Sequence, residues 1–187
     1  MTIALLALCL LAGSNAADAT RFPERVQVAD QPLRLNGSGT RTATLFAIKI
    51  YDAAFYADRS IATLADALAA PNPKRLEIRY LRDFDLKDTQ EAWRYQFKES
   101  AELKDGALAS EIDRLVALQR PIARGDTHRF DLLDGKTVFS INGEKRGEIE
   151  GTAFQTALLT IFFGPHPPTQ DLQKGLTRGV REEKEGE

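Results

Sequence analysis

Leu33–Tyr56 reads LRLNGSGTRTATLFAIKIYDAAFY. Leu33, Leu35 and then Asn36-Gly37-Ser38-Gly39 predict a strand that breaks at a turn. From Arg41 to Ala57 the chain is rich in Phe, Ile and Tyr and predicts one long strand. Within it Phe46, Ile48 and Ile50 alternate with Ala47, Lys49 and Tyr51, so Tyr51 faces opposite to Ile50. Arg41 leads into this apolar run. A guanidinium cannot shed its charge, and its planar fork fits a carboxylate or phenolate in two-point geometry. An arginine so placed either stands at the mouth of a pocket for an anionic ligand or is an ordinary surface charge beside a half-buried tyrosine, and spacing alone favours the second.

The strand pattern recurs on both sides of this stretch. Arg21 to Asp30 holds one edge strand around Val26 and Val28. Arg75 to Phe84 sets Leu76, Ile78 and Tyr80 on one side and Glu77 and Arg79 on the other, as a half-exposed strand does. His128 to Leu133, Asp134-Gly135 and Lys136 to Ile141 form a two-residue hairpin with a type I′ signature. Asn142-Gly143 then turns into Arg146 to Ile149.

Helical spacing appears in five places. Ser60 to Ala70 has Ile61, Leu64, Ala65 and Leu68 on one stripe, Ser60 as N-cap and Pro71 as stop. Lys87 to Leu103 carries Trp93, Phe97 and Ala101 one turn apart, and Ala107 to Gln119 carries Leu108, Ile112, Leu115 and Val116. Gly151 to Phe163 is apolar on nearly every side, which is the mark of a buried helix, and Gly164-Pro165 closes it. A short helix follows from Thr169 to Thr177. Strands, helices, strands, helix in that order argue an α+β fold: an antiparallel sheet with helices on one face.

The ends of the chain have a different character. Ile3 to Ala12 is an apolar run too short to span a bilayer, followed by the small-residue patterns Gly13-Ser14-Asn15-Ala16 and Ala17-Asp18-Ala19. It predicts a cleaved secretory signal peptide over residues 1–19, cut after Ala16 or Ala19, and a secreted or periplasmic protein. Cys9, the only cysteine, lies inside that leader and follows Leu8 rather than a small residue, so no lipid anchor is expected. A mature chain without a thiol excludes disulfides, thiolate catalysis and cysteine metal sites. One domain over residues 20–180 is the expectation, with a charged tail at 181–187.

Most chemistries are thin here. The only histidines are His128, in a strand, and His166, in Gly-Pro-His-Pro-Pro; neither has a second ligand at metal spacing, and both read as polar side chains on the surface. The same scarcity argues against Ser-His-Asp or Cys-His nucleophiles. Gly37-Ser38-Gly39 lacks the third glycine and the helix of a dinucleotide fingerprint. A net charge of −2 gives no basic footprint for nucleic acid. No metal, cofactor, nucleic acid or stable membrane anchor is expected, and a protein partner is left open. Trp93 and Phe97, like Phe154, Leu158, Ile161 and Phe162, read first as core and second as pocket wall.

The succession LNGSGTR, KIYDAAFYA, PKRLEIRYLRDF, a Trp-bearing helix, and ALLTIFFG followed by Asp171-Leu172 resembles the chalcone isomerase-like family, and within it the exported bacterial branch. The resemblance spans nearly the whole mature chain in the same order. It implies an open-faced sandwich, a large antiparallel sheet with helices packed on one face and a ligand cleft between them. The family arginine, which holds a phenolate in the plant enzymes, falls on Arg41. The strand threonine that orders a water in those enzymes falls on Tyr51, and the late threonine on Ile161, with Gly164 matched. The helix tyrosine and asparagine find no partner in Asp88 to Glu99. Fatty-acid-binding relatives grip a carboxylate with an arginine and a tyrosine, a pair that Arg41 and Tyr51 resemble.

The resemblance thus implies a non-catalytic module for a small amphipathic carboxylate such as a fatty acid. Arg41 is then the anchor and Tyr51 the hydrogen-bond partner, with Tyr56, Phe97 and Phe162 as candidate walls. The alternative is an intramolecular lyase or isomerase acting on a phenolate-bearing substrate, with Arg41 and Tyr51 as its catalytic pair.

Overall fold

The computed structural model describes residues 22–43, 47–104 and 106–178 of the 187-residue chain. The leader and tail read from the sequence therefore lie outside the described residues, as does Phe46.

Seven antiparallel strands form one sheet in chain order: β1 (Arg25–Val28), β2 (Gln31–Ala43), β3 (Ile48–Ala57), β4 (Lys74–Tyr80), β5 (Thr127–Leu133), β6 (Lys136–Ile141) and β7 (Glu144–Glu150). The helices α1 (Leu64–Ala69), α2 (Leu86–Tyr95), α3 (Ala109–Ala117), α4 (Thr152–Phe163) and α5 (Gln170–Leu176) pack on one face. The α+β layering follows from hydrophobic faces that each need a cover. Alternate residues of the strands, among them Phe55, Leu76, Ile78, Phe130 and Phe139, point into the same buried cluster as the helix residues Leu115, Phe154, Leu158 and Leu172. α4 is apolar except along the strip of Thr152, Thr156 and Thr160 that it shows to solvent, and Phe154, Leu158 and Ile161 are fully buried. Each such side chain contributes roughly 1.5–3 kcal/mol of burial.

Several local expectations change. Gly37 and Gly39 do not turn the chain; β2 runs straight through them, with a register shift between Leu35 and Gly37. Their missing side chains serve a close approach instead. A Cβ on Gly37 would meet the carbonyl oxygens of Gly175 and Leu176, and one on Gly39 would meet that of Leu172, so α5 lies directly on the β2 backbone. The buried Asn36 side chain tightens the same corner. It donates to the carbonyls of Ile61 (2.8 Å) and Leu176 (2.7 Å) and accepts from Ile61 N–H (2.8 Å).

The single long strand from Arg41 to Ala57 is in fact two strands, β2 ending at Ala43 and β3 starting at Ile48. Thr63, not Ser60, caps α1, in a reciprocal capping box with Asp66. The long helix from Lys87 to Leu103 is shorter: α2 passes into a π-helical turn at Gln96–Ser100. At Asp134-Gly135 the two-residue loop stands, but only Gly135 has positive φ, so the turn is not type I′; Ala29-Asp30 and Asn142-Gly143 have positive φ at both positions.

The sheet's second face is not simply solvated either. Glu77 and Arg75 on β4 are buried, because cross-strand neighbours cover them: Glu77 pairs with Arg129 (3.4 Å) and Arg75 with Asp131. Phe22, Val28, Leu33, Ala54 and Tyr56 form a second, smaller apolar cluster.

Candidate functional site

A slot opens between the sheet and the helical layer at one end of the core. Its floor includes Tyr51, Ile78 and Tyr80; its roof includes Thr89, Trp93 and Gln96; Ile161 and Phe162 of α4 close the inner side. Arg41 stands in its wall. About 530 Å³ lies between the walls counted out to the open mouth, but only about 70 Å³ is open to the centre of a water molecule. The void is therefore narrow, and its apolar lining suits an unbranched hydrocarbon better than a globular solute.

The geometry of the polar end comes from strand register. Arg41 on β2 is the cross-strand partner of Tyr51 on β3, and Tyr51 is the partner of Tyr80 on β4. In one continuous strand, ten residues would hold Arg41 and Tyr51 roughly 33 Å apart; the hairpin makes them neighbours. The Arg41 guanidinium carbon lies 5.7 Å from the centroid of the Tyr51 ring, within cation–π range. Tyr51 and Tyr80 meet edge to face at 5.9 Å. Tyr80 continues the row to His128, its hydroxyl 3.3 Å from Nδ1.

Arg41 is only half-buried, yet its Nε is enclosed and has no hydrogen-bond partner among the described residues. No carboxylate there reaches ion-pair distance either. Asp88 borders the slot from the exposed first turn of α2 without pairing with it. Buried polar atoms in folded proteins are nearly always satisfied, and a charged one left alone costs more than a neutral one. The Tyr51 hydroxyl also makes no hydrogen bond within the described residues. Burial pushes it well above the ordinary phenol range, against the opposing pull of Arg41, so it stays a protonated donor. Tyr80 is raised as well, by burial and then by Tyr51. A guanidinium N–H and a phenol O–H, adjacent and unspent, form a two-donor site for an anion.

The candidate residues divide clearly. Arg41, Tyr51 and Phe162 share the slot. Phe97 does not line it; fully buried, it stacks between Trp93 (6.2 Å) and Phe154 (5.3 Å) as core. Tyr56 lies on the other face of the sheet, in the small cluster with Phe22 and Leu33, with its hydroxyl enclosed and without a partner among the described residues. Ile161, carried over from the family threonine, does line the slot, as do Thr89 and Gln96, which lie inside the helix segment where no polar counterpart was expected. The π-helical turn starts at Gln96, and such turns widen a helix at functional sites. Ser100 Oγ donates to Gln96 Oε1 at 2.8 Å, which leaves the Gln96 amide as a donor beside the slot.

His128 is not a polar surface residue: it is fully buried, edge-on to Phe139 (5.2 Å), and its Nε2 has no partner among the described residues. Burial pulls its pKa down to about 3, with Asp126 opposing and Arg120 adding to the shift. The unfolded chain binds this proton near pH 6.5 and the folded chain does not, so stability falls as pH drops below 6.5 and the loss is complete near 3. The slope is about 1.4 kcal/mol per pH unit. Between pH 6.5 and 5 the wild type should lose about 2 kcal/mol more than His128→Phe in urea unfolding. Parallel pH dependences would show that the buried imidazole is not the titrating group.

Among the described residues no group of three or more His, Cys, Asp or Glu side chains could hold a metal ion, and no helix is long and apolar enough to cross a membrane.

Comparison with known proteins places this geometry in context. A family model described as chalcone isomerase-like matches residues 14–177. No curated protein sequence matches the chain. Among solved structures, the crystal structure of a fatty-acid binding protein of Arabidopsis thaliana superposes with a TM-score of 0.70, covering 88% of this chain and 94% of that one at 15% identity. At that identity the likeness is one of fold.

Proposed function

This chain belongs to the chalcone isomerase-like family, and from that premise we propose that it is a binding module for a small amphipathic anion, a fatty acid being the simplest case. The observation that carries the reading is the Arg41 guanidinium, whose enclosed Nε has no partner among the described residues, at the mouth of a narrow apolar slot. The carboxylate would take a two-point bond from Arg41 and a hydrogen bond from Tyr51. The alkyl chain would run past Tyr80 and Trp93 toward Phe162. The fatty-acid binding neighbour lends support at the level of fold. We further propose that residues 1–19 are a cleaved leader and that the protein works outside the cytoplasm, on the strength of the apolar run Ile3 to Ala12 and the small residues after it.

The second reading, an intramolecular lyase for a phenolate-bearing substrate, would use the same two donors. It ranks lower because the other polar positions of the family site are not matched here: the late threonine falls on Ile161, which lines the slot as a hydrocarbon side chain. Titration with dodecanoate and with dodecanol, matched in chain length, separates head-group from tail recognition. The acid should bind at least about tenfold more tightly, a difference of about 1.4 kcal/mol. Equal affinities would remove the anion from the account.

A further inference from the structure

The slot does not end at Arg41. Arg41 and Gln96 also form part of a second hollow, a polar trough on the surface that continues outward from the mouth. About 910 Å³ of the trough is open to the centre of a water molecule, against about 70 Å³ in the slot. One bank is the π-helical turn and the segment after it, with Tyr95, Glu99 and Lys104; the other is the loop through His166. His166 Nε2 and Glu102 Oε1, 2.9 Å apart, tie the two banks together. A carboxylate held at Arg41 would leave this whole space to solvent.

The walls of the trough carry both signs of charge. Arg41, Lys98 and Lys104 are cationic and Glu99 and Glu102 are anionic; Glu102 faces His166, and the Glu99 and Lys104 side chains have no ion-pair partner among the described residues. Tyr95 lines the same trough with 62% of its surface exposed, four residues before Glu99 along the helix. An exposed ring about one turn from a carboxylate suits a quaternary ammonium, while a guanidinium and a lysine lining one hollow suit a phosphate.

We propose that the ligand is a single-chain amphiphile with a zwitterionic phosphate–ammonium head. The tail fills the slot, the phosphate lies between Arg41 and Lys104, and the ammonium rests on Tyr95 and Glu99. This rests on the slot-and-arginine reading above and enlarges its anionic head.

Four probes test it by calorimetry, below the concentrations at which they form micelles: dodecanoate, dodecyl phosphate, dodecylphosphocholine and tail-free phosphocholine. Dodecylphosphocholine should bind at least tenfold more tightly than dodecanoate, with dodecyl phosphate between them, and tail-free phosphocholine at least a hundredfold more weakly than dodecylphosphocholine. Glu99→Gln, at an exposed position, should weaken dodecylphosphocholine three- to tenfold and leave dodecanoate unchanged. Dodecanoate binding as well as or better than dodecylphosphocholine would overturn the head-group proposal and leave the slot reading standing. Dodecyl phosphate matching dodecylphosphocholine would remove the ammonium contact, and tail-free phosphocholine matching it would remove the two-part ligand. Binding of none of the four would end both readings.

Discussion

Arg41→Gln should weaken the binding of dodecanoate by roughly 30- to 150-fold, equivalent to about 2–3 kcal/mol. The substitution keeps a polar side chain at the mouth but removes the charge and the two-point fork, which no amide reproduces. What separates this effect from damage to the fold is its stability signature. The enclosed Nε makes no hydrogen bond within the described protein, so the empty wild type carries an unsatisfied buried N–H that Arg41→Gln removes. The variant should therefore unfold in urea at the same midpoint as the wild type or slightly above it, while losing its ligand. A residue selected for folding shows the opposite combination. Loss of stability and of binding together would make Arg41 a structural residue and undo its role as anchor.

The largest effect on stability is expected far from the slot, at Gly37→Ala. The added methyl would press on the carbonyl oxygen of Gly175 and reach that of Leu176 at 2.8 Å, and both are backbone atoms that no rotamer change can move. Either α5 lifts away from β2 or the strand bends. Lifting α5 exposes Leu172 and Leu176, which are fully buried, and strains the Asn36 bond to the Leu176 carbonyl. Overpacking of this kind costs about 3 kcal/mol or more. Urea unfolding of Gly37→Ala reads this directly. A midpoint within error of the wild type would mean that α5 sits more loosely on β2 than the described contacts allow.

Gly37 also shows where sequence reasoning loses its grip. A glycine permits a turn and it permits close approach of another backbone, and the two uses leave the same letter in the chain. The partner that distinguishes them, Gly175, is more than a hundred residues away. The hairpin between Ala43 and Ile48 was hidden for a related reason: Thr42-Ala43-Thr44-Leu45-Phe46 is as strand-like as its flanks. Arg41 and Tyr51, which the sequence reading pairs through the resemblance, stand opposite each other on β2 and β3, although one long strand would have kept them apart. By contrast, two misreadings had their correction in plain view. Alternation from Tyr51 places Tyr56 on the opposite face, and alternation through Phe130 and Leu132 places His128 inward. Both follow from the period of two that fixed the strands. The layered α+β architecture was legible because apolar faces recur with the right periods in nearly every element. The π-helical turn at Gln96–Ser100 was not, since its residues fit a regular helix equally well.

A crystal structure of the protein soaked with dodecanoate tests the central claim most directly. The expected result is a carboxylate within hydrogen-bond distance of the Arg41 guanidinium and the Tyr51 hydroxyl, with the alkyl chain passing Tyr80 and Trp93 toward Phe162. A chain bound on the opposite face beside Tyr56, or a carboxylate in solvent with Arg41 turned away from it, would contradict the account.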